Sequence, residues 1–346
     1  MIILIYFLQG ERIRNVALME DKIMVSLYCL AYNHEKYIRN TLDGFISQVT
    51  NFKYEVFVHD DASTDKTASV IKEYANKYPN IIKPIFQTEN QYSKGIQIFR
   101  TYIYPKMSGK YVAICEGDDY WCCINKLQKQ VDILETDESL SACVHQTTQI
   151  NCVDGTQKNI CGYTQNCIVE FDDIVQRGNN VYQISSLMYR KVYLDTLPQF
   201  CTCMKNVGDY PMAIYLTLVG NIYYINETMS VYRLFSSRES WTSNNSISRN
   251  KKRWIENCED AIRMLNLADE YSEHRYHQQF MAAINRHEFD IERLTKGKWV
   301  AFQQKYKNIR REKHGLHYIK WIVGYLLPES VVYQLKKIRT YIKDKL

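Results

Sequence analysis

Short apolar runs alternate with amphipathic stretches through the first third of the chain. Ile23 to Leu30 is almost continuously apolar and predicts a buried strand. The turn Ala31-Tyr32-Asn33-His34 follows, after which Ile38, Leu42, Phe45, Ile46 and Val49 share one helical face, with Asn33 as the expected N-cap. Tyr54 to His59 predicts a second strand that runs into Asp60-Asp61, and Ala62-Ser63-Thr64-Asp65 then predicts the cap of a helix carrying Val70, Ile71 and Tyr74. Ile82 to Gln87 predicts a third strand, at a sheet edge because Pro84 has no amide proton to give a neighbour. Gln91 to Met107 predicts a helical connection, and Tyr111 to Cys115 a fourth strand. Such alternation predicts an α/β fold with a parallel sheet and right-handed crossovers.

The pattern continues less regularly. Leu127, Val131 and Leu134 mark an amphipathic helix, Ala142 to Thr148 a strand, and Asn151 to Asn166 a polar loop. Phe171 to Arg177 predicts a short helix, Gln183 to Tyr189 a return to the sheet, and Asp209-Tyr210-Pro211 the start of a helix running to Val219, with Pro211 at a permissive position. Asn221 to Tyr232 reads as a strand. Beyond about residue 250 the chain turns to long, densely charged helices, one of them carrying Trp254, Ala261, Leu265 and Leu267. The expected organisation is therefore an N-terminal extension over 1–22 that is either poorly ordered or the product of an over-extended start codon, an α/β domain over 23–240, and a helical region over 241–346 that ends in a basic amphipathic tail.

Two of the predicted strands end in paired aspartates, Asp60-Asp61 and Glu116-Gly117-Asp118-Asp119. Ligands of open α/β sheets bind beyond the carboxyl ends of the strands. Adjacent aspartates there repel one another unless a cation or ordered hydrogen bonds compensate them, and oxygen-rich sites suit Mg²⁺ or Mn²⁺. Either cluster alone is as well explained by a solvated acidic turn. Both on one rim favour a site.

Composition narrows the reading only a little. With 346 residues, 46% hydrophobic and 24% charged, the chain is ordinary globular material, and a net charge of +6 allows anionic ligands or lipid without calling for nucleic acid. The 11 cysteines form no paired zinc array and fit reduced thiols of a bacterial-type cytosol. His59 reads as strand-end packing, and His274 and His277 as surface residues without an acidic partner set. At the C-terminus an apolar stretch, Ile319 to Leu327, is too short to span a bilayer and precedes Lys336, Lys337, Arg339, Lys343 and Lys345. An interfacial membrane contact and packing on the protein are both open for that tail.

Five stretches in order, Val25 to Asn33, Glu55 to Asp65, Glu116 to Trp121, Gly208-Asp209-Tyr210-Pro211 and Met229 to Arg233, resemble the family 2 glycosyltransferases over about residues 24 to 240. The resemblance implies a GT-A fold, a Rossmann-like nucleotide-diphospho-sugar transferase domain. It implies inverting transfer of a hexose or related sugar from a nucleotide-diphosphate donor, UDP-sugars being commonest, to a saccharide or lipid-linked acceptor in surface polysaccharide synthesis at the inner face of the membrane. By it, Asp209 is the catalytic base, Asp119 the ligand to Mg²⁺ or Mn²⁺, and Tyr32, Asn33, Glu35, Asp61, Lys94 and Asp118 lie on the donor side, with Trp121 and Tyr210 toward the acceptor. The chain departs from the family where Cys122-Cys123-Ile124 follows Trp121 and where Leu234-Phe235 follows Arg233. A catalytically impaired nucleotide-sugar-binding partner subunit is the alternative. A nucleotidyltransferase is disfavoured, since the turn after the first strand has no glycine to cradle phosphate.

Overall fold

The computed structural model describes residues 22–160, 162–178, 181–204, 208–237 and 250–311, together with 327 and 331. The expected N-terminal extension and nearly all of the basic tail lie outside the described residues. The chain divides into two compact units, Met1–Asn244 and Asn245–Leu346.

The first unit is built on β1 (Ile23–Ala31), most of whose residues are buried and none exposed. It pairs in parallel with β2 (Lys53–Asp60) on one side and β4 (Tyr111–Ile114) on the other. β3 (Ile82–Phe86) pairs in parallel with β2 and forms the edge, as Pro84 predicts. Helices α1 (Ile38–Ile46) and α2 (Thr67–Lys77) supply Ile38, Leu42, Phe45, Ile71 and Tyr74 to the core packed on these strands. Strands covered on both faces lose the polar alternation of a half-exposed sheet, which is why β1 reads as a continuous apolar run.

The sheet is mixed rather than wholly parallel. β9 (Met188–Arg190) lies antiparallel to both β4 and β6 (Leu140–Asn151), and β6 pairs in parallel with the long β10 (Asn221–Leu234). The two-residue β5 (Tyr120–Trp121) closes that side against β10. The expected polar loop after β6 contains a further strand, β7 (Gln157–Ile160), folded back on β6, while β8 (Cys167–Ile168) pairs with β10. The expected helix over 91–107 is instead a series of short turns at Tyr92–Lys94, Phe99–Ile103 and Tyr104–Lys106, with Pro105 inside the last of them. Helices α3 (Lys126–Thr136), α4 (Phe171–Arg177) and α5 (Asp209–Val219) form where their patterns predict.

In the second unit α6 (Lys251–Tyr271) is capped by Asn250, whose side chain accepts from the Arg253 amide at 3.0 Å. Cys258, Ala261, Met264, Leu265 and Ala268 give it a buried stripe at helical spacing, packed with α7 (His277–Lys296) through Phe280, Ala283 and Ile284. The expectation that His274 and His277 lack an acidic partner is corrected, because both rings meet Asp269 at the end of α6.

Candidate active site

The carboxyl ends of β1, β2 and β4 meet on one rim. The Asp61 amide bonds to Ala31 O at 3.0 Å and the Gly117 amide to Leu30 O at 2.9 Å, so both acidic turns are tied directly to the end of β1. Gly117 is required by this closeness: a Cβ there would lie 2.7 Å from His34 Nδ1 and 3.1 Å from Leu30 O. Asn33, held in the left-handed region at φ 56°, does not cap α1. Its amide donates to Ser63 Oγ at 2.9 Å and its Oδ1 accepts from the Thr64 amide at 2.8 Å. Glu35 extends the seam, donating its amide to Asp65 and accepting from the Lys66 amide. Asn33 and Glu35 therefore join the first loop to the second.

The acidic turn after β4 is ordered by residues far along the sequence. Asp119 is 1% exposed. Its Oδ1 accepts from the Arg233 amide at 2.9 Å, while its Oδ2 is buried without a hydrogen-bond partner. Burial first, then the neighbouring charge of Asp118, pushes its carboxyl well above the ordinary aspartate range. Asp118 is only half-buried. Its Oδ2 accepts from Ser236 Oγ at 2.6 Å and its carbonyl from the Arg233 guanidinium at 2.6 Å. That guanidinium sits between the rings of Tyr37 and Tyr120, 4.8 and 4.6 Å from their centroids. Phe235, a bulky residue at φ 58°, turns the chain so that Ser236 follows Arg233 back to Asp118. Arg233 and Ser236 are site residues to which the sequence reading gave no role, and Glu116 was read there only as part of the strand-end acidic cluster. The Met229 to Arg233 motif was the signal for the first of them.

Glu116 opens to solvent at the same turn. Lost hydration within the cleft, then the charges of Asp118 and Asp209, raise its carboxyl above the ordinary glutamate value, its exposure moderating the first cause. The Asp209 charge is also felt at the buried hydroxyls of Tyr28 and Tyr182. Asp209, the first residue of α5, is thus within electrostatic reach of the β4 turn although 90 residues separate it from Asp119 in the sequence. Its Oδ1 accepts from the Tyr210 amide at 2.8 Å.

The remaining expected residues are distributed as follows. Tyr32 is 37% exposed, its ring accessible beside the rim. Asp61 is 4% exposed and accepts the amides of Gln91 and Tyr92 on its two oxygens, at 2.8 and 3.0 Å, which fixes the turn carrying Lys94. Lys94 pairs with Glu89 at the surface. Trp121 is corrected from an acceptor contact to a core residue: it is 3% exposed, packs edge-on against Phe45, and gives its indole N–H to Ser185 O at 2.9 Å. Tyr210 is half-buried with its hydroxyl donated to Val175 O at 2.7 Å. His59 packs as expected, buried and stacked on Tyr102.

The donor set fits a hard divalent cation. It consists of carboxylate oxygens, Asp119 Oδ2 is dry and unpartnered, and Asp118 and Glu116 stand one and three residues before it. A cation is also what would keep so deeply buried a carboxylate ionised.

Residues 26–195 match the family model described as "Glycosyl transferase family 2". The domain belongs to glycosyl transferase family 2. An uncharacterized protein of Mycobacterium tuberculosis (strain ATCC 25618 / H37Rv) is 34% identical over 211 residues, 60% of this chain. The match spans only 58% of that relative's length. A UDP-Glc:alpha-D-GlcNAc-diphosphoundecaprenol beta-1,3-glucosyltransferase of Escherichia coli is 31% identical over 115 residues, 33% of this chain and 43% of its own. Among solved structures, S. aureus TarS 1-349 in complex with UDP superposes with a TM-score of 0.51 at 16% identity, covering 87% of this chain and 78% of that one. The family 2 domain has the GT-A fold, and a helical region follows it.

Proposed function

We propose that this chain is an inverting glycosyltransferase that moves a sugar from a nucleoside diphosphate donor, a UDP-sugar foremost, to a hydroxyl of a saccharide or lipid-linked acceptor in surface polysaccharide synthesis. One observation carries the reading: a strand-end carboxylate set clamped by Arg233, with a further carboxylate, Asp209, on a separate helix whose charge reaches it. The similarity to an enzyme named for transfer from UDP-Glc to a diphosphoundecaprenol-linked sugar supports the choice of donor and acceptor class.

In this reading Asp209 takes the proton of the acceptor hydroxyl as its oxygen bonds to the anomeric carbon. The bond from that carbon to the diphosphate breaks on the opposite face, which inverts the centre. Arg233 adds positive potential beside Asp118 and Asp119 where the diphosphate gathers charge. Asp119, with Asp118 and Glu116 near it, would hold Mg²⁺ or Mn²⁺, which when bound offsets that charge. The exposed Tyr32 ring gives the base a face to stack on, and the spare lone pairs of Asp61 can accept a base N–H.

The test is a pair of variants assayed for donor binding and for transfer. Asp209→Asn should bind donor normally and lose transfer by about 10²–10⁴-fold. Asp119→Ala should lose the metal dependence of donor binding. Near-normal transfer by the first, or equal donor affinity with Mn²⁺ and with chelator in the wild type, would refute the assignment of that residue. Donor binding without any transfer in the wild type would leave the chain a binding subunit.

A further inference from the structure

In the helical unit Asp269, His274 and His277 bring a carboxylate and two imidazoles together across the turn between α6 and α7. Their donor atoms all lie within 4.8 Å of one another. His274 Nδ1 is 2.9 Å and His277 Nδ1 2.7 Å from the same oxygen, Asp269 Oδ2. The rings stand at 82° with centroids 5.8 Å apart, so the two nitrogens converge without the imidazoles stacking. Asp269 is 6% exposed, and its Oδ1 is buried with no hydrogen-bond partner.

From this geometry we infer that the α6–α7 turn is a binding site for a borderline divalent transition ion, zinc foremost. Two imidazole nitrogens and a carboxylate suit Zn²⁺, whereas Mg²⁺ prefers an all-oxygen set. Tetrahedral zinc with bonds of about 2.0–2.1 Å puts its ligand atoms roughly 3.3 Å apart. The two nitrogens, 2.9 and 2.7 Å from Asp269 Oδ2, need only a small opening from that oxygen, and the histidine side chains, 64% and 57% exposed, are free to make it. A purely hydrogen-bonded clasp would use both carboxylate oxygens, because a dry, unpartnered oxygen is costly. Here both imidazoles crowd one oxygen and the other is left bare. The exposure of the rings leaves a coordination position to water. The turn is shaped for this approach: Glu273 and His274 lie in the left-handed region at φ 53° and 59°, held by the His274 amide on Asp269 O at 2.9 Å. Since the ligands come from the end of one helix, the turn and the first residue of the next, the ion would fasten the hairpin and add its binding energy to the stability of this unit. The inference is independent of the carboxylate site in the family 2 domain, which draws on oxygen donors alone.

The experiment uses the full-length protein stripped with chelator and titrated with Zn²⁺ alone, beside His274→Ala/His277→Ala, with Mg²⁺ as the control ion. The wild type should bind one more equivalent of zinc than the double variant, and its melting temperature should rise with zinc while that of the variant does not. Equal stoichiometry and affinity in the two proteins, each folded by circular dichroism, would overturn the proposal. Because the chain also carries cysteines, Co²⁺ loading of the wild type gives a second reading. Visible d–d bands without thiolate charge transfer support the nitrogen and oxygen set, and a thiolate-dominated spectrum for the tightest equivalent overturns it.

Discussion

At the scale of single residues, the candidate site rests on groups that are costly to bury. Asp119 is held below the surface with one oxygen bare, and the Arg233 backbone and side chain are spent on the same acidic turn. The aspartates were legible in the sequence because they stand together after an apolar run. Arg233 and Ser236 were not, since they reach Asp119 and Asp118 from 114 and 118 positions away. Trp121 was misread for the opposite reason: an aromatic beside an acidic motif looks like a binding surface until the core behind it is known. That core contains a second costly group. Lys126 is fully buried, its Nζ 4.0 Å over the Trp121 ring and donating to Gln130 Oε1 at 2.6 Å. Burial pushes its ammonium down to about 7. An unfolded lysine stays protonated to about pH 10. Between these values the unfolded chain binds more protons at this position than the native one, so this group makes stability rise with pH over that window. Lys126→Met removes the effect. Its stability relative to wild type should therefore fall by about 1 kcal/mol for each pH step from 7 to 9. Urea unfolding at pH 7, 8 and 9 measures it, and a difference that does not change with pH would show that Lys126 is not depressed.

At the scale of elements, the strands paired with β1 and the helices packed against it were legible because burial imposes their periodicity directly. The edge position of β3 followed from one missing amide at Pro84. The stretch over 91–107 was not legible, since its turns are fixed by tertiary bonds, above all the two amides held by Asp61. The amino ends of the strands have their own lock, at the far end from the acidic turns. Glu55, 8% exposed, accepts from Ser26 Oγ at 2.6 Å and from Ser108 Oγ and N at 2.8 and 2.9 Å, and Ser26 Oγ in turn accepts the Gly109 amide at 2.8 Å. A Cβ on Gly109 would stand 2.4 Å from Ser26 N and 2.8 Å from Val25 C, both backbone atoms that cannot step aside. Gly109→Ala should accordingly cost about 1–3 kcal/mol or more, the range for overpacking a close contact. Chemical denaturation would read this as a lowered midpoint at unchanged slope, and a midpoint equal to wild type would mean that β1 and the start of β4 part more easily than their packing implies.

At the scale of the whole molecule, the chain couples a family 2 domain to a basic helical unit in a protein of net charge +6. Among the described residues no helix is long and apolar enough to cross a membrane. The helical unit nevertheless exposes Trp299 and Phe302, 74% and 40% accessible, with ring centroids 5.8 Å apart and Lys298 beside them in sequence. Paired aromatics with flanking lysines suit the headgroup level of a bilayer. The basic tail beyond residue 313, most of it outside the described residues, adds Lys336, Lys337, Arg339, Lys343 and Lys345. Each basic residue near an anionic leaflet contributes about 1 kcal/mol, within a Debye length of the surface. An acceptor built on a lipid carrier would be met at that surface, which is why this prediction belongs with the proposed function. Full-length protein should sediment with phosphatidylglycerol vesicles at least tenfold more tightly than with phosphatidylcholine vesicles, and salt should weaken the binding. A chain ending at Lys313 should lose most of this preference, and Trp299→Ala/Phe302→Ala should weaken what remains without altering donor binding. If the shortened chain binds anionic vesicles as well as the full one, the tail packs on protein instead, and the aromatic pair alone must account for any affinity that is left.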